Sequence, residues 1–145
     1  MQPQLEGFDA PEILTYSLES TVAEKFDAIL QRFELTSRMK DFYDIYYLSR
    51  TFDFEGEKLK TALRKTLQNR GTPYGEDSFA RVLALAEDED MNIKWRHFLR
   101  TLGNTEPDFP SVVTALGAFL RPVWDAIIRE RELPQTWRAA ETRWM

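Results

Sequence analysis

Two stretches with helical periodicity carry the ionisable residues best placed to act together. Lys25 lies on the first, and Arg38, Lys40, Asp41 and Asp44 lie on the second. Ammonium and guanidinium groups beside carboxylates can pair with them or hold an anion by charge and hydrogen bonds. The apolar stripe of the first stretch is Leu18, Val22, Phe26, Ile29 and Phe33. At about 100° per residue, Lys25 falls about 60° from the centre of that stripe, whereas Glu24 and Asp27 fall well over about 100° away. The Lys25 stem can therefore pack at the edge of the buried face while its ammonium reaches either a cleft or plain solvent. On the second stretch Arg38 projects toward the apolar face, and Asp41 lies within one helical turn of it. Asp44 points more nearly outward, so Asp41 is expected to be nearer a cleft, with stabilisation of the first helical turn as its plainer role. Arg38 fits a structural partner as well as a phosphate contact, and Glu19, on the other flank of the first stripe, fits structural support.

These residues need elements to hold them. Ser17 is placed to cap the first helix, and Thr36 and Ser37 the second, which carries Met39, Phe42, Ile45 and Tyr46 inward and stops near Arg50. A third helix runs from about Glu55 with Leu59, Leu63 and Leu67 inward and ends at Gly71. Asp77 opens a shorter fourth, and the acidic run Glu87 to Asp90 links it to a fifth bearing Met91, Trp95, Phe98 and Leu99. After a loop from Pro107 to Pro110, a final helix starts at Ser111, is kinked by Pro122 and stops at Pro134. The expected fold is all-α: a compact bundle of about six helices preceded by a short extended segment, Ile13 to Tyr16. Residues 1–12 read as an arm, 13–133 as the helical core of a single domain, and 134–145 as a tail in which Trp137 and Trp144 either fold over the bundle or dock a partner.

The blocks Ala23-Glu24-Lys25 and Arg38-Met39-Lys40-Asp41-Phe42-Tyr43-Asp44 carry a specific resemblance. The chain resembles the nucleotidyltransferases of the AbiEii/AbiGii toxin family over roughly residues 13–130, with weaker support from Arg70-Gly71-Thr72 and Phe119-Leu120. The resemblance implies a catalytic role for Lys25, Asp41 and Asp44, substrate binding for Arg38 and Lys40, and structural support from Glu19 and Glu24. It also implies magnesium and a nucleoside triphosphate in a complete enzyme, tRNA as an acceptor class, and an antitoxin partner. Family members place a Gly-Ser motif and metal-binding carboxylates in a nucleotidyltransferase core, and no Gly-Ser pair occurs in this chain. The chain alone is therefore expected to hold no cofactor and to be inactive until it meets such a core. A rival reading fits the same residues: a stand-alone helical module that binds a protein partner or forms a homodimer through apolar surface from Ile13 to Tyr16 and beside Lys25.

Composition narrows the field. A formal charge of −5 gives no overall basic field to hold a nucleic-acid backbone, although Lys58, Lys60, Arg64, Lys65 and Arg70 make one helix locally basic. With no cysteine and a single histidine, His97, the chain has neither disulfides nor an imidazole or thiolate metal site. Met1 to Ala10 lack the pattern of a secretory signal, and charges interrupt the apolar stretches, so a cytoplasmic protein that does not cross a membrane is expected.

Overall fold

Ser17 accepts the backbone N–H of Ser20 on its Oγ at 3.0 Å, and helix α1, Leu18–Gln31, begins at the next residue. The computed structural model describes residues 17–31 and 39–145. Ile13 to Tyr16, Phe33, Thr36, Ser37 and Arg38 lie outside the described residues. Helix α2 covers Met39–Thr51, strand β1 Phe54–Glu55 and helix α3 Gly56–Arg70. Gly71, at φ 65°, ends α3 in a conformation that a β-carbon would strain. Its N–H donates to the Gln68 carbonyl at 3.2 Å and that of Thr72 to the Leu67 carbonyl at 3.1 Å, which satisfies two orphan carbonyls of the last turn. The same turn delivers Thr72, buried, to the flank of α1.

Helix α4 spans Glu76–Ala84 and is followed by a 3-10 turn, Leu85–Glu87. Asp88 then caps helix α5, Glu89–Thr101, accepting the Met91 N–H at 3.0 Å, so part of the expected acidic link is a helix start. Helix α6 is Phe109–Ile128. It begins earlier than the expected Ser111 because Asp108 supplies the cap, accepting the Ser111 N–H at 2.9 Å. Pro110 thereby falls in the first turn, where its missing N–H would have had no helical partner. The Ser111 hydroxyl, then its N–H, hold the Asp108 carboxyl below the ordinary aspartate range.

Helix α6 is the axis of the bundle and meets α2, α3, α4 and α5. It runs unbroken through Pro122 and stops at Ile128, short of Pro134. By length and composition it could cross a membrane, with a mean hydropathy of 1.4, which corrects the expectation that no stretch would pass that test. Half of it is buried inside the bundle, where Val112, Leu116, Phe119, Leu120, Val123 and Ile127 form its core face.

Residues 134–145 form more than a tail. Strand β2, Thr136–Arg138, pairs antiparallel with β1, and β3, Arg143–Trp144, pairs antiparallel with β2, with Phe54 opposite Trp137 and Trp137 opposite Trp144. The two indole N–H groups anchor this sheet: Trp137 donates to the Ser49 carbonyl at 2.7 Å and Trp144 to the Phe119 carbonyl at 3.0 Å. Among the described residues the fold is thus an all-α bundle of six helices carrying one small three-stranded sheet.

Gly56 is where the sheet and α3 approach most closely. A β-carbon there would stand 2.4 Å from the Leu133 carbonyl oxygen and 2.8 Å from that of Gln135. Gly56→Ala is expected to destabilise the protein by about 1–3 kcal/mol, because the overlap of the added β-carbon with the two carbonyl oxygens outweighs alanine's better helix propensity. Urea unfolding followed by tryptophan fluorescence would measure it.

Beside Gly56, Glu57 accepts the Leu133 N–H and faces Lys60 Nζ at 3.1 Å. The Leu133 N–H, then Lys60, hold the Glu57 carboxyl below the ordinary glutamate range. A depressed folded-state pKa contributes stability above the unfolded value, near pH 4.3, and that contribution is lost as pH falls through the folded value. Glu57→Gln is therefore expected to lower Tm at pH 7 and to differ less from the native protein as pH falls through the folded value, as scanning calorimetry along an acid pH series would show.

Candidate functional site

Helix α1 lies between α2 and α3, and its ionisable residues divide between those neighbours. Toward α2, Lys25 Nζ stands 2.9 Å from Asp44 Oδ2 and 3.8 Å from Asp41 Oδ1. The three side chains are 24%, 21% and 9% exposed for Lys25, Asp44 and Asp41 respectively, so the cluster sits at the rim of the packed seam rather than inside it. Lys40 Nζ also stands 2.9 Å from Asp44 Oδ2, and its side chain is 75% exposed. The fold thus gathers Lys25, Lys40, Asp41 and Asp44 in one place. Asp41 is the more buried acid, but Asp44, expected to point more nearly outward, makes the shorter contact with Lys25. Both acids lie on the flank of α2 that faces α1, and a long lysine stem reaches the nearer carboxylate.

An ammonium has three N–H donors. The contacts of Lys25 with Asp44 at 2.9 Å and with Asp41 at 3.8 Å are ion pairs. Donor capacity therefore remains on Lys25 for an oxygen arriving from solvent. At this partial exposure each pair contributes on the order of 1 kcal/mol or less to stability, so the cluster does not by itself hold the helices together.

Toward α3, Glu24 pairs with Arg70, and Asp27, only 2% exposed, accepts hydrogen bonds from the Thr72 hydroxyl and, at 2.8 Å, from the Gln31 amide. The burial of Asp27 corrects the helical-wheel reading, which turned it away from the core. With neighbours on both flanks, the buried arc of α1 is wider than its apolar stripe and takes in Ala23 and Asp27. The one trace of this in the sequence is Gln31, four residues on. Glu19 lines a separate groove with Asp53, Glu55 and Glu57.

The basic run on α3 is largely engaged within the fold. Lys60 is buried, donating to the Arg131 carbonyl at 2.9 Å; Lys58 pairs with Glu55 at 3.6 Å, and Arg70 with Glu24. His97 is exposed, its Nδ1 3.0 Å from the Arg100 guanidinium. Among the described residues no group of three or more His, Cys, Asp or Glu side chains converges to hold a metal ion. Asp41 and Asp44 already face an ammonium, which opposes a divalent cation there.

Comparison with known proteins adds a family to this geometry. The family described as nucleotidyl transferase AbiEii toxin, Type IV TA system, matches residues 1–130, which include every residue of the Lys25 cluster. No curated protein and no solved structure matches the chain. A toxin–antitoxin system implies an antitoxin partner, so the description carries one with it. The chain belongs to the AbiEii nucleotidyl transferase toxin family.

Proposed function

We propose that this chain is the helical part of a cytoplasmic AbiEii nucleotidyltransferase, that its Lys25 cluster positions nucleotide phosphates and the acceptor, and that it is inactive without a nucleotidyltransferase core. The observation that carries the reading is the Lys25 ammonium, partly exposed at a helix seam, held by Asp44 and with donors to spare. Asp44 holds the ammonium in place by charge. Lys25 then offers its remaining N–H groups to phosphate oxygens, and Lys40, on the solvent side of the same carboxylate, adds a second cation. Phosphoryl-type transfer depends mainly on such positioning and charge stabilisation, so a fixed lysine at the rim of a helix seam is a working part of the machine. Magnesium belongs to the chemistry of a complete enzyme, but the described carboxylates do not fit it, so each role given to this chain rests on its own side chains.

Support for the incomplete-enzyme reading comes from the sequence, which has no Gly-Ser pair. tRNA is the proposed acceptor class, brought by the family resemblance rather than by any basic face of this chain. The test is incubation of the chain with labelled nucleoside triphosphates, magnesium and tRNA. The expected result is no labelled tRNA from the chain alone, and Lys25-dependent label once a Gly-Ser-bearing core is supplied. Label transferred by the chain alone would overturn the requirement for a core.

A further inference from the structure

Asp27 is the most deeply buried acidic or basic side chain among the described residues, and the functional reading above gives it no part. Its hydrogen-bond partners there are neutral: the Thr72 hydroxyl donates to Oδ1, and the Gln31 amide to Oδ2 at 2.8 Å. The same amide reaches Thr72 Oγ1 at 3.1 Å, which closes the three side chains into a ring. Thr72 is fixed in turn, because its N–H donates to the Leu67 carbonyl in the turn that ends α3. Replacing both partners of such a buried bond by apolar groups of the same shape is close to neutral for stability, so stability does not account for the ring. What directional bonds add to a packed seam is a unique geometry.

That geometry extends to Lys25. Residues 25 and 27 lie about 200° apart around a helix, so the ring grips the flank of α1 opposite the one that carries the ammonium. The apolar packing of α1 is non-directional, and the Glu24–Arg70 pair, also on the α3 side, is partly exposed. The Asp27–Thr72 bond is the enclosed polar link between the two elements. We propose that Asp27 is a positioning residue: bonded to Thr72, it fixes the rotation of α1 and thereby the place where the Lys25 ammonium stands against α2. The inference rests on the functional reading above and deepens it. A side-chain tip about 5–6 Å from the helix axis moves by about 1 Å when the helix turns by about 10°. A misplacement of about 1 Å costs about 10²-fold in rate.

The test replaces the link in the full chain and reads the ¹⁵N resonance of the Lys25 ammonium, identified by its loss in Lys25→Ala. The double variant Asp27→Leu, Thr72→Val removes both partners and keeps their shapes; Thr72→Val alone removes the donor. In both, the Lys25 resonance is expected to leave its native position, and transfer with a competent core is expected to fall about 10²-fold. The double variant is expected to melt no earlier than the native protein. Asp27→Asn keeps an oxygen to accept the Thr72 hydroxyl and is expected to retain the native resonance and rate. A native Lys25 resonance in either folded variant, or a displaced one in Asp27→Asn, would overturn the positioning role. Loss of folding in both Thr72→Val and the double variant would make the ring a structural support and overturn it equally. A displaced resonance with an undiminished transfer rate would leave the positioning standing and overturn the part given to Lys25 in transfer.

Discussion

Trp137→Ala is expected to lower the free energy of unfolding by about 3–5 kcal/mol, the cost of removing a buried tryptophan. Trp137 is among the largest fully buried side chains, its ring 5.0 Å from that of Phe119 and 5.7 Å from that of Trp144. Its indole N–H is the hydrogen bond that ties the sheet to the end of α2, so the substitution also leaves the Ser49 carbonyl without that donor. Trp137→Phe separates the two effects: it keeps most of the apolar volume and loses the donor, and is expected to cost less. Chemical denaturation of the three proteins would give the order native, Phe, Ala. A loss below about 1 kcal/mol for the alanine variant would mean that residues 134–145 are not part of the cooperative fold.

Lys25→Ala is expected to cut nucleotidyl transfer by about 10²–10³-fold in the presence of a competent core, the usual loss when one preorganised charge-stabilising donor is removed. Its effect on stability is expected to be small by comparison, because the pair with Asp44 is partly solvated and the long stem is at the edge of the core. That separation distinguishes a working ammonium from a structural one. A variant that unfolds easily and transfers normally when folded would make Lys25 a packing residue. The transfer rate and a thermal melt, measured on the same preparation, decide between the two.

The helix boundaries were readable wherever a cap stood next to a period. Ser17 before Leu18, and Gly71 after the Leu59, Leu63 and Leu67 stripe, each mark a real end because the local hydrogen bonds that stop or start a helix belong to those residue types. Asp108 was passed over because Pro107 and Pro110 suggested a loop, although a proline in the first turn is compatible with a helix. The sheet was not readable at all: strands of two and three residues carry no period, and Trp137 and Trp144 are positioned by tertiary contacts alone.

The candidate site was readable in its membership and not in its geometry. That Lys25 flanks the α1 stripe follows from the wheel; that Asp44 rather than Asp41 makes the shorter contact depends on how α1 and α2 cross, which no single-helix projection contains. The buried Asp27 and Lys60 show the same limit from the other side. Each looks solvated on its own helix and is enclosed by a neighbour, Asp27 by Thr72 and Lys60 by the Arg131 carbonyl. A projection of one helix is blind to the partner that covers its second flank.

The most direct measurement is the ¹⁵N resonance of the Lys25 ammonium during a titration with tripolyphosphate. If the ammonium held by Asp44 is the group that receives phosphate oxygens, its signal moves and saturates, and the movement is lost when Lys25 is replaced. A signal that stays in place while the polyanion binds elsewhere on the chain would contradict the account.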